Sequence, residues 1–389
     1  MLKTKSLAFL LGLFTASLGV ASNLVVIGND QTVRYRQNRM EFLETPSPGS
    51  LTVLDFGTFP PAAREVPAIP LSVIGPPTCV ALIPESSLAL VAQAMATENK
   101  DGAYIHVPRS TITLVDLDGA ALATIATGLQ PSGVSVRKDG RIALVANRGD
   151  GTISVLQIGL SPASLKEIGR TKIAEAAESV AHVEISPDGR YAVASLSGPT
   201  SPAVLVLALD EVGSPTVVQR LPGGVTPYSV RFLPDGSGFF VADVGTDSVA
   251  LFEFSEGRAK LRQKIPVGRI PEGLDISADG EWVAVSCFQG ANLLDETHPK
   301  YGQKAEIFVL RREVPEESVA GAVYGLETKI PVRGAPQFAV FSADGRYLVV
   351  SATGYQALDI YRSENGNFIK TGPSMKVNGE PVAAIGSRP

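Results

Sequence analysis

The chain has 389 residues, 44% of them hydrophobic and 19% charged, with a formal net charge of −5 and only two cysteines. That balance excludes a disordered chain and argues against nucleic acid as a partner, because phosphate backbones select basic surfaces. Two cysteines supply at most one bridge, so no disulfide framework can carry the fold.

Residues 1–21 carry Lys3 and Lys5, then an uncharged stretch from Ser6 to Val20, then the small-x-small pattern Gly19-Val20-Ala21. This order reads as a secretory signal peptide, which leaves 22–389 as a single mature domain located in the periplasm or outside the cell. A retained membrane anchor is the competing reading, but the apolar run is short, and no later segment is long enough to span a bilayer. Directly after it, residues 24–27 and 50–56 read as two strands of alternating pattern, with no strand before them to begin a sheet.

The remainder repeats. A phrase of proline (once valine), an alternating apolar run, an Asp-Gly-type turn eight residues on and a second apolar run begins at Pro77, Pro131, Val180, Pro227, Pro271, Pro336 and Pro381. Asp-Gly occupies the turn in five copies, at Asp139, Asp188, Asp235, Asp279 and Asp344, while the copy at Pro77 has Glu85-Ser86. Glycine there tolerates the positive φ of a primed hairpin turn. In the clearest copy the spacing predicts strands over 134–136, 142–146 and 152–157, with a weaker fourth strand at the edge.

Self-similarity with a period of about 45 to 50 residues points to units that bury their apolar faces only against neighbours, and the period-two alternation makes those units sheets. The fold class is therefore all-β: a seven-bladed β-propeller of four-stranded antiparallel blades. The copy at Pro381 stops where its turn should be, and the orphan strands after residue 21 supply what it lacks. Strands from both termini thus close the last blade and remove the open sheet edge. Cys79 and Cys287 fall on nonadjacent blades and are expected to be thiols; no Cys-x-x-Cys-His is present for covalent haem.

The phrase Ala143-Leu-Val-Ala-Asn147 followed by Gly151-Thr-Ile-Ser-Val-Leu156, with relatives at Phe240-Val-Ala-Asp243 and Leu348-Val-Val-Ser-Ala352, resembles the YVTN-type β-propeller repeat. The chain is also similar to the broader lactonase-like seven-bladed propellers, a group with 6-phosphogluconolactonase-type and carboxymuconate-cyclase-type members. The resemblance implies the fold more firmly than an activity, because propellers host unrelated functions. It supplies no catalytic motif that can be matched residue by residue. The missing Trp-Asp signature and the single Trp282 disfavour WD repeats and quinone enzymes, and no cofactor is expected.

Alternating strand direction places the entries into the first strands and the second-to-third connections on one face of the ring. Three of those connections are long, over 29–49, 94–110 and 289–304. The first brings Arg34, Tyr35 and Arg36; the second Tyr104, His106 and Arg109; the third His298 and Tyr301. Long loops on a rigid ring are where binding specificity resides, and these residues are the candidate ligand contacts. Solvated loops carry such charges as well.

Counted from the repeat proline, positions +3 and +5 are apolar and are expected between blades, whereas +2 and +4 are expected to face the channel. There His182 and Glu184, Ser229 and Arg231, and Gly273 and Asp275 form a charged arc over three consecutive blades. His182, Glu184, Arg231 and Asp275 are the candidate catalytic set, an acid-base group with an oxyanion-stabilising cation suited to lactone hydrolysis or ring closure. The same residues serve equally as an ion-pair chain that stitches neighbouring blades. Gln93, Asn147, Ser195 and Asp243 at second-strand ends would suit calcium if any metal, but such residues more often brace turns, so no metal is assigned. No nucleophile elbow or phosphate-binding loop occurs. Two functions follow: an exported binding or scaffold propeller that holds a protein, glycan or small ligand on its loop-rich face, which is preferred, and a lactonase-like hydrolase or cycloisomerase acting in the channel.

Overall fold

The computed structural model describes residues 23–36, 39–72, 74–75, 77–313 and 321–388. The predicted signal peptide lies outside them. Seven antiparallel blades stand around a common axis, each four strands deep, with the outer strand of one split into Asn367–Lys370 and Met375–Lys376. Blades are numbered in the order in which their first, innermost strand occurs: Val80–Leu82, Pro131–Val136, Val180–Ile185, Pro227–Phe232, Pro271–Ile276, Ala339–Phe341 and Glu380–Gly386. Blade 2 is representative, with Pro131–Val136, Ile142–Asn147, Thr152–Leu160 and Ala163–Lys172 running outward from the axis.

Blade 7 closes the ring as expected. Its inner strand Glu380–Gly386 pairs with Leu24–Asp30, which pairs in turn with Ser50–Asp55 and then Ala62–Val66. The register matches Val26 to Ile385 and Ile27 to Ala384. Strand pairing across both termini removes the edge on which another chain could add.

The apolar residues collect in the seams between blades, not in one central core. Blades 2 and 3 bury Leu144, Val155, Val183 and Leu205 against each other, blades 4 and 5 bury Phe240, Leu251, Leu274 and Val285, and blades 6 and 7 bury Ile27, Leu54, Phe338 and Val349. The +3 and +5 residues Val134, Val183, Ile185, Val230, Phe232, Leu274 and Ile276 lie in these seams as predicted. Period-two strands leave one face for each neighbouring blade, so every sheet is buried on both sides.

The Asp-Gly turns differ from the expected two-residue primed turn. Only the glycine has positive φ, at 69° for Gly140 and 71° for Gly189, and its N–H bonds back to Arg137 and Ser186 respectively. This is a type I turn closed by a left-handed glycine. The aspartate serves another purpose: its Oδ1 accepts from the backbone N–H two residues on, at 2.9 Å from Arg141 and 3.1 Å from Arg190. An Asx-type bond explains why Asp recurs there.

The three insertions take different forms. The first contains a hairpin, Val33–Arg36 paired with Arg39–Phe42. The second lengthens Leu88–Lys100 and Ala103–Asp116 into a ribbon that extends past the ring, and the third runs through turns between Trp282–Cys287 and Glu306–Glu313. Cys79 and Cys287 are free, buried thiols of blades 1 and 5. Among the described residues no helix is long and apolar enough to cross a membrane.

Candidate functional site

An inner strand has one paired side, and its other edge faces the channel with backbone groups that need partners. Side chains of the preceding blade supply many of them. Ser135 Oγ accepts from the Ile185 N–H at 3.0 Å, and Asp275 Oδ2 accepts from the Phe341 N–H at 2.9 Å. Ser132 Oγ donates to the Ala181 carbonyl at 2.8 Å, and Ser229 Oγ to the Glu272 carbonyl at 2.5 Å. These bonds step from blade to blade around the ring.

The charged arc belongs to this lattice in part. Arg231 donates to Glu184 at 3.1 and 3.3 Å and to Asp275 Oδ1 at 3.2 Å, and Arg388 donates to the same Asp275 oxygen and to the Ile276 carbonyl. Asp275 is fully buried, whereas Glu184 and Arg231 keep 16% and 12% of their side chains exposed. His182 lies on the same side of its strand as Glu184 but is enclosed. Its Nδ1 accepts from the Val230 N–H of blade 4 at 3.0 Å, a blade-to-blade bond like that of Ser135. A β-bulge between Val180 and His182 makes Ala181 the extra residue, and from His182 to Ile185 the ladder is regular. Its Nε2 is buried without a hydrogen-bond partner, 3.9 Å from Glu184 Oε2. Burial, with Arg231 nearby, lowers the His182 pKa to about 3, and burial raises that of Glu184.

The same bulge recurs after Pro131, Pro227 and Pro271, so the +1 side chains join the channel wall. Sequence reasoning missed them, although polar +1 residues in five of the seven copies (Thr78, Ser132, Tyr228, Glu272 and Gln337) were the available signal. Tyr228 of blade 4 lies in the field of Arg148, which follows Asn147 in blade 2, and feels the charge of Glu272 from blade 5. Tyr35 of the first-insertion hairpin lies in the same field. Groups from blades 2, 4, 5 and 7 can meet only across the axis. Since every inner strand starts at the insertion face, this cluster occupies the channel mouth there, while Glu184, Arg231, Asp275 and Arg388 lie toward the opposite end.

Glu272 differs from the acids of the lower arc. It is half-buried, and among the described residues no ion pair to it within 4 Å is found. Burial pushes its carboxyl up to about 7 against the opposing pull of Arg148. Burial likewise raises the phenols of Tyr228 and Tyr35, with the Glu272 charge adding to it.

The hairpin is fixed over the mouth at several points. The Tyr35 N–H donates to Glu380 Oε1 at 3.2 Å, Arg34 donates to Gln356 at 3.3 Å, and Val33 packs on Val382. Of Arg36 only the backbone, paired with Arg39, is described. Phe42 carries the hairpin onto the second insertion, with ring centroids 4.8 Å from His106 and 6.1 Å from Tyr104. Arg109 is paired with Glu98 of its own ribbon. His298 Nδ1 accepts from the Lys300 N–H at 3.1 Å and Tyr301 Oη donates to Glu296 at 3.5 Å, so these two serve their own insertion. The structure therefore joins the first two sets of candidate contacts and leaves the third apart.

Of the second-strand residues considered for calcium, Asp243 and Asn147 brace turns, Ser195 ties blade 3 to blade 4, and Gln93 accepts from Thr111. Asp243 accepts from the N–H groups of Val225, Thr226 and Gly245, Asn147 donates to Thr152 and Ser154, and Ser195 donates to the Tyr228 carbonyl. Among the described residues no group of three or more His, Cys, Asp or Glu is arranged to hold a metal ion.

No family model and no curated protein matches the chain. Solved structures do. A protein of Bacteroides uniformis ATCC 8492, provisionally named a 6-phosphogluconolactonase, superposes with a TM-score of 0.68 at 16% identity, over 94% of this chain and 99% of that one. The periplasmic gluconolactonase of Pseudomonas aeruginosa gives 0.66 at 18% identity, over 94% and 99%. A provisionally named 6-phosphogluconolactonase of Bacteroides fragilis NCTC 9343 gives 0.66 at 16% identity, over 94% and 98%. Likeness at this identity shows a common β-propeller fold.

Proposed function

We propose that the chain is a lactonase-like hydrolase whose reaction takes place in the channel mouth, with Glu272 as general base. The observation that carries this reading is a carboxyl held near pH 7 without an ion pair, beside Tyr228 of the neighbouring blade and across the axis from Arg148. A base is most effective when its pKa lies near the working pH. The names of the similar gluconolactonases support the substrate class.

In the proposed step a water beside Glu272 gives its proton to the carboxylate, and its oxygen adds to the lactone carbonyl carbon. Arg148 and the Tyr228 hydroxyl face the tetrahedral oxyanion, where fixed donors lower the barrier most. The carbonyl then reforms, the ring C–O bond breaks, and the departing alkoxide takes the proton from Glu272 to give the open hydroxy acid. The lower arc is assigned to holding blades 3, 4 and 5 together, because Arg231 and Asp275 engage each other, the Phe341 N–H and Arg388. An exported location is part of the proposal and rests on residues 1–21.

The test is hydrolysis of five- and six-membered sugar lactones by the wild type, Glu272→Gln and Glu184→Gln. The proposal requires turnover that Glu272→Gln lowers by about 10²- to 10⁴-fold, the usual contribution of a positioned base. Turnover lost in Glu184→Gln but kept in Glu272→Gln would move the chemistry to the lower arc. No turnover of any lactone would leave the loop-rich face as a binding surface.

A further inference from the structure

We propose that a groove on the insertion face, running outward from the channel mouth over blades 5 and 6, binds a short acidic oligosaccharide. The groove has a volume of roughly 1000 Å³ and extends from Tyr35 and Glu41 of the hairpin past Lys304 and Arg333 to Lys370 on the outermost strand of blade 6. This is the upper end of the size of small-molecule sites, and more than a single lactone ring fills. Crossing a four-stranded blade covers three spacings of about 4.8 Å, or about 14 Å, so the shape suits a linear ligand.

The charges select an anion. Lys370 is matched by Asp359 at 2.9 Å, but Lys304 and Arg333 are exposed and form no ion pair among the described residues, while Glu41 sits at the hairpin end. The aromatic wall selects a sugar. Tyr355 is 47% exposed, and the Arg333 guanidinium lies 4.7 Å from its ring centroid, which leaves its other side for the C–H face of a pyranose while Arg333 takes a carboxylate. The site lies beyond the proposed lactone chemistry and does not depend on it.

Calorimetric titration with trigalacturonate tests the assignment, with maltotriose as the neutral control and hexaglutamate as the peptide control. The wild type is expected to bind trigalacturonate and neither control. Arg333→Ala should weaken binding by about tenfold or more, as loss of a charge-assisted contact does. Lys304→Ala, on an exposed loop, should weaken it as well, and Tyr355→Ala should weaken it without creating affinity for maltotriose. All three variants should melt like the wild type, and Arg333→Ala should leave hydrolysis of small lactones unchanged. The assignment is overturned if trigalacturonate does not bind at millimolar concentration, if maltotriose binds equally well, or if the variants bind like the wild type. Tighter binding of hexaglutamate would overturn it in favour of an acidic peptide.

Discussion

Ionising Glu272 costs the folded protein stability, and replacing it should return that stability only at alkaline pH. Its folded value of about 7 lies above the ordinary 4.5, so the native state holds the proton more tightly than the unfolded chain does. The contribution of such a group is complete below pH 4.5 and is lost as pH rises through 7. At 1.36 kcal/mol per pH unit the gap amounts to about 3 kcal/mol, reduced to about 2–3 kcal/mol by the water that reaches a half-buried carboxyl. Glu272→Gln keeps the shape and removes the charge. Relative to wild type, urea unfolding should therefore show the variant more stable by about 2–3 kcal/mol at pH 8.5 than the same comparison gives at pH 4.5. An equal difference at both pH values would refute the claim that this carboxyl is held protonated by the ring. A gain in stability on removing a reactive group is the familiar trade-off of active sites.

Arg231→Met leaves two enclosed carboxylates facing each other and should destabilise the ring by about 3 kcal/mol in denaturant titrations; a neutral outcome would mean that the arc is not structural. His182, held neutral with a folded value of about 3 against an ordinary 6.5, contributes stability above pH 6.5 that is lost as pH falls toward 3. The drop in unfolding free energy from urea titrations between pH 7.5 and 5 should shrink by about 2 kcal/mol in His182→Gln, and an unchanged drop would contradict the buried neutral imidazole. Burial raises both thiols, Cys79 to about 12, so neither should react with a thiol reagent at pH 8 until the ring unfolds. Rapid labelling of the native protein would show that the seams open.

The architecture was legible because each level of the sequence agreed with the next. Prolines marked strand entries, Val183 and Ile185 marked the seam face, and Asp188-Gly189 marked the hairpin. The truncated copy at Pro381 and the orphan strand at Leu24–Asp30 named each other, and they pair in the structure. Channel-facing positions were less legible because alternation holds only where the ladder is regular. One extra residue near the start of the inner strand, seen in the copies at Pro131, Val180, Pro227 and Pro271, changes the side on which the +1 residue emerges and brings Glu272 to the mouth. Asp275 and Arg231 were brought together as expected from their +4 positions, but Arg388 completes their network from the end of the truncated last copy, just past the strand to which the parity count applies. Tyr35 was named for its loop, yet its place beside Glu272 depends on how the hairpin folds over the ring, a long-range outcome fixed by Glu380 and Val382.

The measurement that bears most directly on the proposed chemistry is the pH dependence of kcat/KM for gluconolactone hydrolysis, with the uncatalysed rate subtracted. If Glu272 is the base, the wild-type profile rises with a slope of one through an inflection near 7, the pKa of the free enzyme's carboxyl. In Glu272→Gln the inflection should vanish along with most of the rate. A profile whose inflection near 7 survives in Glu272→Gln would place the base elsewhere and contradict the account.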